Sequence, residues 1–456
     1  MAYPLLGTFL DFVEVLRPAL TRPGFDNLVV LTVGWVLTQG PHAVTQALVC
    51  TQVAGRRHHE AFHRFFSRGT WSPDEWGRLL FQWILAHGPQ EGPVRLCLDD
   101  TLAPKKGAQV FGIGSHLDAV RSTRLCRIFA FGHCWVVLAV LVHLPFSKRP
   151  WALPILFRLY RSKKSCDLRR RDYRKKTELG RQMLDLLLSF VGGRRVELAA
   201  DAAFCNDTVT RGLPDSVVLL GAMRPDAVLT ALPAQVPAGA RRPGRPPKRG
   251  VVLPKPKALA KDQTVPWKSC RATLYGKKRT VVYKDCFAQW YRACGTRFLH
   301  IVVVSVEHGS IGLRVFFSTD PTLSVCQILE GYAGRWAIEV CFRDLKQQMG
   351  FADSSARKQE AILRTAPFVG YLYTLLVLWF TTYASQSPLA TPPVRPWYPH
   401  KRGFSFADIL RTAQRVLRPL DVLDPRRNLK DLRKFQRAPT RRHHIAPFES
   451  PRNGET

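Results

Sequence analysis

Acidic side chains follow two short apolar runs of the sequence, and this placement indicates metal chemistry. Asp99 and Asp100 come directly after Val94–Leu98, and Asp201 comes directly after Val196–Ala200. Apolar runs of this length are typical of buried strands. A carboxylate at the end of a buried strand is costly unless it is paired or binds a metal ion. Since carboxylate oxygens suit Mg²⁺ and Mn²⁺, the two strand ends predict part of a divalent-metal site.

A third acid, Glu339, lies in a segment with helical signals. Asp320 is a favoured N-cap, Pro321 suits the first helical position, and Gly350 is a favoured stop. At about 100° per residue, an aromatic residue, three cations and this acid share one narrow stripe of the predicted helix. The five residues of the stripe are Tyr332, Arg335, Glu339, Arg343 and Lys346.

The stripe alone is ambiguous. Arg335 and Glu339 are four residues apart, so they fit a surface ion pair worth roughly a few tenths of a kcal/mol equally well. The two strand-end acids change this interpretation, because three carboxylates can hold two metal ions that activate an oxygen nucleophile and stabilise a leaving oxygen of a phosphodiester. The cations beside Glu339 would then hold phosphates.

The spacing of this segment resembles a family signature. Tyr332–Lys346 reads Tyr-x2-Arg-x3-Glu-x6-Lys, which is similar to the signature of the DDE transposases of bacterial insertion sequences, of the insertion-sequence-four type and its relatives. Leu98–Thr101 followed by Lys105–Gly107 resembles their first acidic block, and Leu198–Phe204 resembles their second. The resemblance covers roughly residues 93–385.

The resemblance implies an RNase H-like core in which two Asp and one Glu bind two Mg²⁺ ions, with Mn²⁺ able to substitute. The metal ligands would be Asp201, Glu339 and one of Asp99 and Asp100. The two neighbouring side chains point to opposite faces of a strand, so only one of them can serve, and the Asp-x-Thr pattern of related enzymes favours Asp99. The resemblance also implies a mainly β insertion between Asp201 and Glu339.

The resemblance further implies a transposase that cleaves DNA at the element ends and transfers the freed 3′-OH into target DNA. Tyr332 and Arg335 would contact the transposon-end phosphate and Lys346 the terminal DNA, with Arg343 an added candidate. The expected partners are double-stranded DNA, as terminal inverted repeats and target, and a second copy of the chain in a homodimer. Two alternatives stay open: a catalytically silent, domesticated DNA-binding protein and a metal-dependent nuclease without strand transfer.

The composition supports an anionic partner. The 456 residues contain 68 Lys and Arg against 34 Asp and Glu, a formal net charge of +34. Nucleic acid is the commonest partner of so basic a chain.

Three shorter features of the sequence support further interpretations. Arg242–Lys248 resembles an AT-hook centred on Arg245, or else is a basic linker. His59–His63 matches HExxH but favours a helical packing or DNA-facing role over a zinc site. Cysteines without a CxxC pair favour a reducing, cytoplasmic and nucleoid-associated location.

The chain as a whole reads as an α/β protein, because strand and helix patterns alternate. We expect a helical, DNA-binding segment over 1–92, an RNase H-like core over 93–223 and 298–390, a β-rich insertion with a basic linker over 224–297, and a basic C-terminal segment over 391–456. A hairpin is predicted over 272–283. Phe368–Phe380 is shorter than the roughly 20 residues that span a membrane, so a buried helix is predicted there.

Overall fold

A twelve-stranded mixed sheet runs through the protein and carries helices on both faces. The computed structural model describes residues 3–107, 109–118, 121–123, 125–167, 172–234, 245, 247–305, 313–399, 403–420 and 422–423. The strands are β1 (Val94–Pro104), β2 (Gly114–Leu117), β3 (Phe129–Val142), β4 (Trp151–Tyr160), β5 (Val196–Ala200), β6 (Val217–Met223), β7 (Leu229–Thr230), β8 (Val252–Leu253), β9 (Lys268–Leu274), β10 (Lys277–Gln289), β11 (Phe298–Val304) and β12 (Arg314–Ser318). The protein is therefore mixed α/β, as the sequence predicts.

The helices lie before, between and after the strands. They are α1 (Tyr3–Val13), α2 (Arg22–Leu37), α3 (Val44–Cys50), α4 (Glu60–Ser67), α5 (Pro73–His87), α6 (Lys163–Asp167), α7 (Lys176–Leu188), α8 (Asp207–Thr210), α9 (Pro256–Lys261), α10 (Tyr291–Cys294), α11 (Val325–Gly334), α12 (Trp336–Gln348), α13 (Gln359–Trp379) and α14 (Phe406–Leu417). Three shorter helical turns, at Glu14–Ala19, Phe380–Ala384 and Pro388–Ala390, complete the helical part of the described chain.

Five strands at one side of the sheet stand in the order β4-β3-β1-β5-β6. β1 is antiparallel to β3 and parallel to β5, and β5 is parallel to β6. β3 is apolar along nearly its whole length because both of its faces are covered. This arrangement brings the end of β5 beside the middle of β1, at Leu98.

Glycines allow helices to approach both faces of these strands closely. A Cβ added at Gly180 of α7 would lie 2.8 Å from Leu98 Cδ2, and one added at Gly370 of α13 would lie 2.2 Å from the ring of Phe157. Phe157 pairs with Val137, and Val137 pairs with Asp99, so these three side chains lie on one face of the sheet. Leu98 precedes Asp99 on β1 and therefore points to the opposite face. Accordingly, α7 covers one face of the sheet and α13 the other.

The hairpin predicted over 272–283 is present as β9 and β10. Its two-residue turn is Tyr275-Gly276, and both residues have positive φ, 55° and 78°, as a type I′ hairpin turn requires. β10 pairs with β11, and β11 with β12, which pairs with β6. The strands of the predicted insertion over 224–297 thus continue the main sheet and do not form a sheet of their own.

Helices from the two ends of the chain share one hydrophobic core with the sheet. Trp35 Nε1 donates to the carbonyl of Met349 at 2.9 Å, the Tyr371 hydroxyl donates to the carbonyl of Pro73 at 2.8 Å, and Trp379 Nε1 donates to Thr8 Oγ1 at 3.1 Å. The predicted N-terminal helical segment therefore packs onto the C-terminal helices. Its DNA-binding role stays a prediction.

The predicted buried helix at Phe368–Phe380 forms most of α13, and its residues are buried. By length and composition alone, Gln359–Ala384 could cross a membrane, but 83% of its most apolar stretch is buried inside the protein.

Two sequence motifs lie elsewhere in the fold. The HExxH segment begins α4, where Glu60 binds Arg64 at 2.7 Å. Of the AT-hook-like segment, only Arg245, Pro247 and Lys248 are among the described residues, and Arg245 is exposed. Most of that prediction and the end of the basic C-terminal segment, 424–456, lie outside the described residues.

Candidate active site

Asp99 and Asp201 occupy equivalent positions after the last paired residues of two neighbouring parallel strands. Leu98 of β1 pairs with Ala200, the last residue of β5, and an aspartate follows each of them. The prediction that Asp99 and Asp100 come after the strand is wrong, because β1 continues to Pro104 on the support of β3 alone. Asp99 therefore lies at the point where β5 stops pairing, and its side chain is on the same face as that of Asp201.

The alternation of β1 places Asp99 and Asp100 in different surroundings. Asp100 Oδ2 accepts from Lys176 Nζ of α7 at 2.6 Å and from Cys134 Sγ at 3.2 Å. Asp99 Oδ2 accepts from Arg335 at 2.6 Å on the other face, where α12 packs. Of the two acids that the sequence leaves open, Asp99 is thus the one on the side of Glu339.

Two helices, α11 and α12, lead to the third acid, Glu339, whereas the sequence predicts a single helix. The predicted start at Asp320 and Pro321 is wrong, since Asp320 Oδ1 instead accepts from the backbone and hydroxyl of Thr322 at 2.8 and 2.7 Å in a turn. α11 begins after Ser324, which forms a capping box with Gln327. The helix is interrupted at Arg335, and α12 then carries Glu339. Gly350 follows α12 with a positive φ of 62°, as a helix stop requires.

The guanidinium of Arg335 lies between two of the acids. Its Nη1 donates to Asp99 Oδ2 at 2.6 Å, and its Nη2 donates to Glu339 Oε1 at 2.8 Å. The Arg335 side chain is only 13% exposed, and its Cζ lies 5.7 Å from the centre of the Tyr332 ring. Its Nε is buried and has no hydrogen-bond partner among the described residues. The predicted stripe therefore brings Tyr332, Arg335 and Glu339 together as expected.

Burial controls the electrostatics of this group. Burial raises the pKa of Asp99 to about 7, and the nearby Asp201 adds to the rise while Arg335 opposes it. Burial also raises the pKa of Asp201, although the N–H of Phe204 at 3.2 Å stabilises its charge. Burial disfavours the charge of Arg335, but Asp99, Tyr332 and Glu339 together outweigh it and raise the pKa of the guanidinium. Arg335 is accordingly a permanent cation, and it is the positive charge that Asp99 and Glu339 share.

These donors fit a hard divalent cation in part. Asp99 and Asp201 are desolvated carboxylates on adjacent strands, which is the chemistry that Mg²⁺ prefers. Within the described chain, no group of three His, Cys, Asp or Glu side chains is close enough to hold a metal ion. Arg335 instead bridges Glu339 and Asp99, because it donates to both carboxylates.

Two other predicted residues differ in their surroundings. Lys346 is half-buried within electrostatic reach of Asp100 and Asp118, and burial lowers its pKa. Arg343 is 57% exposed and binds the neighbouring buried Asp344 at 3.1 Å. Its role in DNA binding stays a prediction.

Sequence reasoning missed two contributors to the site. Lys176 ends the basic sequence Arg174–Lys176, and it is the cation that binds Asp100. Trp336 follows Arg335 directly, is 46% exposed and makes an edge-to-face contact with Tyr275 of the hairpin turn at 6.2 Å. An exposed tryptophan next to a candidate phosphate-binding arginine was the signal that could have identified it.

The raised pKa of Asp99 predicts a pH-dependent stability. The folded state keeps the proton up to about pH 7, whereas the unfolded chain releases it near its ordinary value, so the folded state binds more protons in this window. Stability is therefore lost as pH rises from about 4 to 7. We expect the free energy of unfolding in metal-free buffer to fall by a few kcal/mol more for the wild type than for Asp99→Asn. Parallel curves for the two proteins in urea titrations across this range would contradict the assignment.

Comparison with known proteins adds a family. The model of the DDE superfamily endonucleases matches residues 16–287, well over half of the chain. The matched region contains Asp99 and Asp201 but ends before Glu339, so the third acid is placed by the geometry above. No curated protein matches the chain significantly. The extent of the family match shows that this protein belongs to the DDE superfamily endonucleases.

Proposed function

We propose that the protein is the transposase of a bacterial insertion sequence, of the insertion-sequence-four type or a close relative. It would cleave DNA at the element ends and transfer the freed 3′-OH into target DNA. The observation that carries the proposal is the position of Asp99 and Asp201, which directly follow the paired residues Leu98 and Ala200, with Glu339 linked to Asp99 through Arg335. Membership of the DDE superfamily endonucleases supports DNA as the substrate.

We interpret the strands β4-β3-β1-β5-β6 as an RNase H-like core. The support is their order, with β1 antiparallel to β3 and parallel to β5, and two neighbouring carboxylates, Asp99 within β1 and Asp201 directly after β5. In this interpretation β7–β10 are the mainly β insertion, and its hairpin reaches the active-site helices. The backbone N–H of Thr273 in β9 donates to Glu330 of α11 at 2.6 Å, which fixes the hairpin against the helix.

The chain's own residues would divide the work as follows. Bound Mg²⁺, held by Asp99, Asp201 and Glu339, would supply an activated oxygen nucleophile and stabilise the leaving oxygen. Arg335 presents a planar fork that binds phosphate as well as carboxylate, so it can exchange its carboxylate partners for a DNA phosphate. The Tyr332 ring beside it limits the directions in which it can turn.

The remaining cations would guide DNA to the site. Lys346 adds positive charge on the same helix as Glu339, and the net charge of +34 attracts duplex DNA over a wide surface. Two copies of the chain would act together, because transposition needs both element ends. The expected place of action is the bacterial cytoplasm, at the nucleoid.

Cleavage of DNA that carries the element's own terminal repeats tests the proposal. With Mg²⁺ or Mn²⁺ we expect nicked ends and joined products, and Glu339→Gln should lower both by at least about a hundredfold, because it removes a metal-binding charge. Binding of the same DNA in EDTA should be unchanged. Nicks without joined products would indicate a nuclease, and binding without cleavage would indicate a DNA-binding protein. Equal cleavage by Glu339→Gln would show that this site is not the catalytic one.

A further inference from the structure

A cleft with basic walls lies at the end of β1, which carries Asp99, and beside the loop after α12, which carries Glu339. One wall is formed by Pro104 at the end of β1 with Lys105, Lys106 and Val110, and the other is the loop 352–357 that follows α12. The cleft has a volume of about 620 Å³, which is within the usual range for sites that enclose a small molecule or a single nucleotide. Pro104 is five residues beyond Asp99, or roughly 17 Å along an extended strand.

The charge of the cleft favours an anion. Lys105, Lys106 and Arg357 line it, and Lys106 and Arg357 are exposed and have no ion-pair partner among the described residues. The one acid of the lining, Asp353, is already engaged, since its Oδ2 accepts from the backbone N–H of His42 at 2.8 Å. Lys105 Nζ donates to the carbonyl of Ser354 and so holds the two walls together.

The cleft also has an aromatic wall. Phe131 of β3 lines it and is 62% exposed. Phe129 and Leu117 lie on the same face of the β2–β3 hairpin and are 61% and 48% exposed, but they do not line the cleft. An exposed ring beside unpaired cations is the combination that binds unpaired nucleotides, because every base has a face that can stack and every link carries a phosphate.

We propose that this cleft binds an unpaired nucleotide of the DNA strand that leaves the active site, with its base stacked on Phe131 and its phosphates on Lys106 and Arg357. The proposal rests on DNA being the substrate. The distance from Asp99 to Pro104 corresponds to roughly five stacked nucleotides. A base inside a duplex could not stack on Phe131, because both of its faces are covered by its neighbours. A protein partner fits less well, because charged residues are depleted at the centres of protein interfaces.

Binding of the full-length protein in EDTA tests this separately from cleavage. The probes are a duplex and the same duplex with a single-stranded extension of about five nucleotides, which carries 2-aminopurine. Phe131→Ala should weaken binding of the extended duplex by roughly 5- to 100-fold, since stacking is worth about 1–3 kcal/mol per base. It should leave binding of the blunt duplex unchanged and abolish the quenching of 2-aminopurine. Arg357→Ala should reduce the salt dependence of binding by about one phosphate contact.

Phe129→Ala is the matched control, because this ring is equally exposed on the same hairpin face but lies outside the cleft. We expect it to bind both probes as the wild type does. Equal losses for the two Phe variants, or equal losses for the two probes, would overturn the proposal. So would a change of oligomeric state in Phe131→Ala with DNA binding intact, which would assign the ring to a protein interface. If the wild type binds neither probe, the proposed function itself fails.

Discussion

Asp99→Asn is expected to abolish metal-dependent strand cleavage, with a loss of at least about a thousandfold, whereas Asp100→Asn should retain most of the activity. The two residues are adjacent and chemically identical, but β1 points them to opposite faces. Asp99 lies beside Asp201 and contacts Arg335. Asp100 instead binds Lys176 of α7.

Asp100→Asn should also cost little stability. The side chains of Asp100 and Lys176 are 25% and 35% exposed, and a partly exposed ion pair contributes at most about 1 kcal/mol. Single-turnover cleavage of end-bearing DNA, with binding measured in EDTA, separates catalysis from affinity. Retained cleavage in Asp99→Asn together with a large loss in Asp100→Asn would assign the metal to the α7 face of the sheet.

Arg335→Ala is expected to destabilise the metal-free protein by about 3 kcal/mol at pH 8, because it leaves a buried carboxylate without its cation. The Asp99 side chain is 15% exposed, and Arg335 is its ion-pair partner. The loss should be smaller at pH 6, since Asp99 then takes up a proton in place of the cation. Urea unfolding at the two pH values measures the effect.

Mg²⁺ should distinguish this variant from the wild type. Without Arg335 the three carboxylates are free to converge on a cation, so added Mg²⁺ should raise the free energy of unfolding more in Arg335→Ala than in the wild type. Arg211→Ala is the control, since its surface pair with Asp207 is 79% and 41% exposed and should contribute at most about 1 kcal/mol. Equal stability and an equal response to Mg²⁺ in Arg335→Ala would show that Arg335 does not neutralise the site.

The strands that carry the acids could be predicted from the sequence because the signal is local. Val94–Leu98 and Val196–Ala200 are apolar runs with an acid at the end, and burial of such runs follows from composition. The pairing of Leu98 with Ala200 could not be predicted, because two residues so far apart in the chain leave no periodic signal of their contact. The choice between Asp99 and Asp100 depended on that pairing.

The helix that carries Glu339 shows the same limit. Asp320 and Ser324 are both good N-caps, and a tertiary contact decides between them, because Asp320 binds Arg195 at the start of β5. The stripe correctly grouped Tyr332, Arg335 and Glu339. Arg343, one turn after Glu339 on α12, takes the neighbouring buried Asp344 as its partner. Helical geometry thus predicted which side chains share a face but not which partner each one takes.

The hydrogen bonds between the two ends of the chain have a consequence for biosynthesis. Trp35 is fully buried and donates to the carbonyl of Met349, 314 residues later. At about 5–20 residues per second, a ribosome needs roughly 15–60 s to make that stretch. During this time the apolar faces of α2 and α5 lack the C-terminal helices that cover them. We therefore expect a chain that stops before α13 to expose these apolar faces and to be degraded, which pulse-chase labelling of a truncated chain would measure.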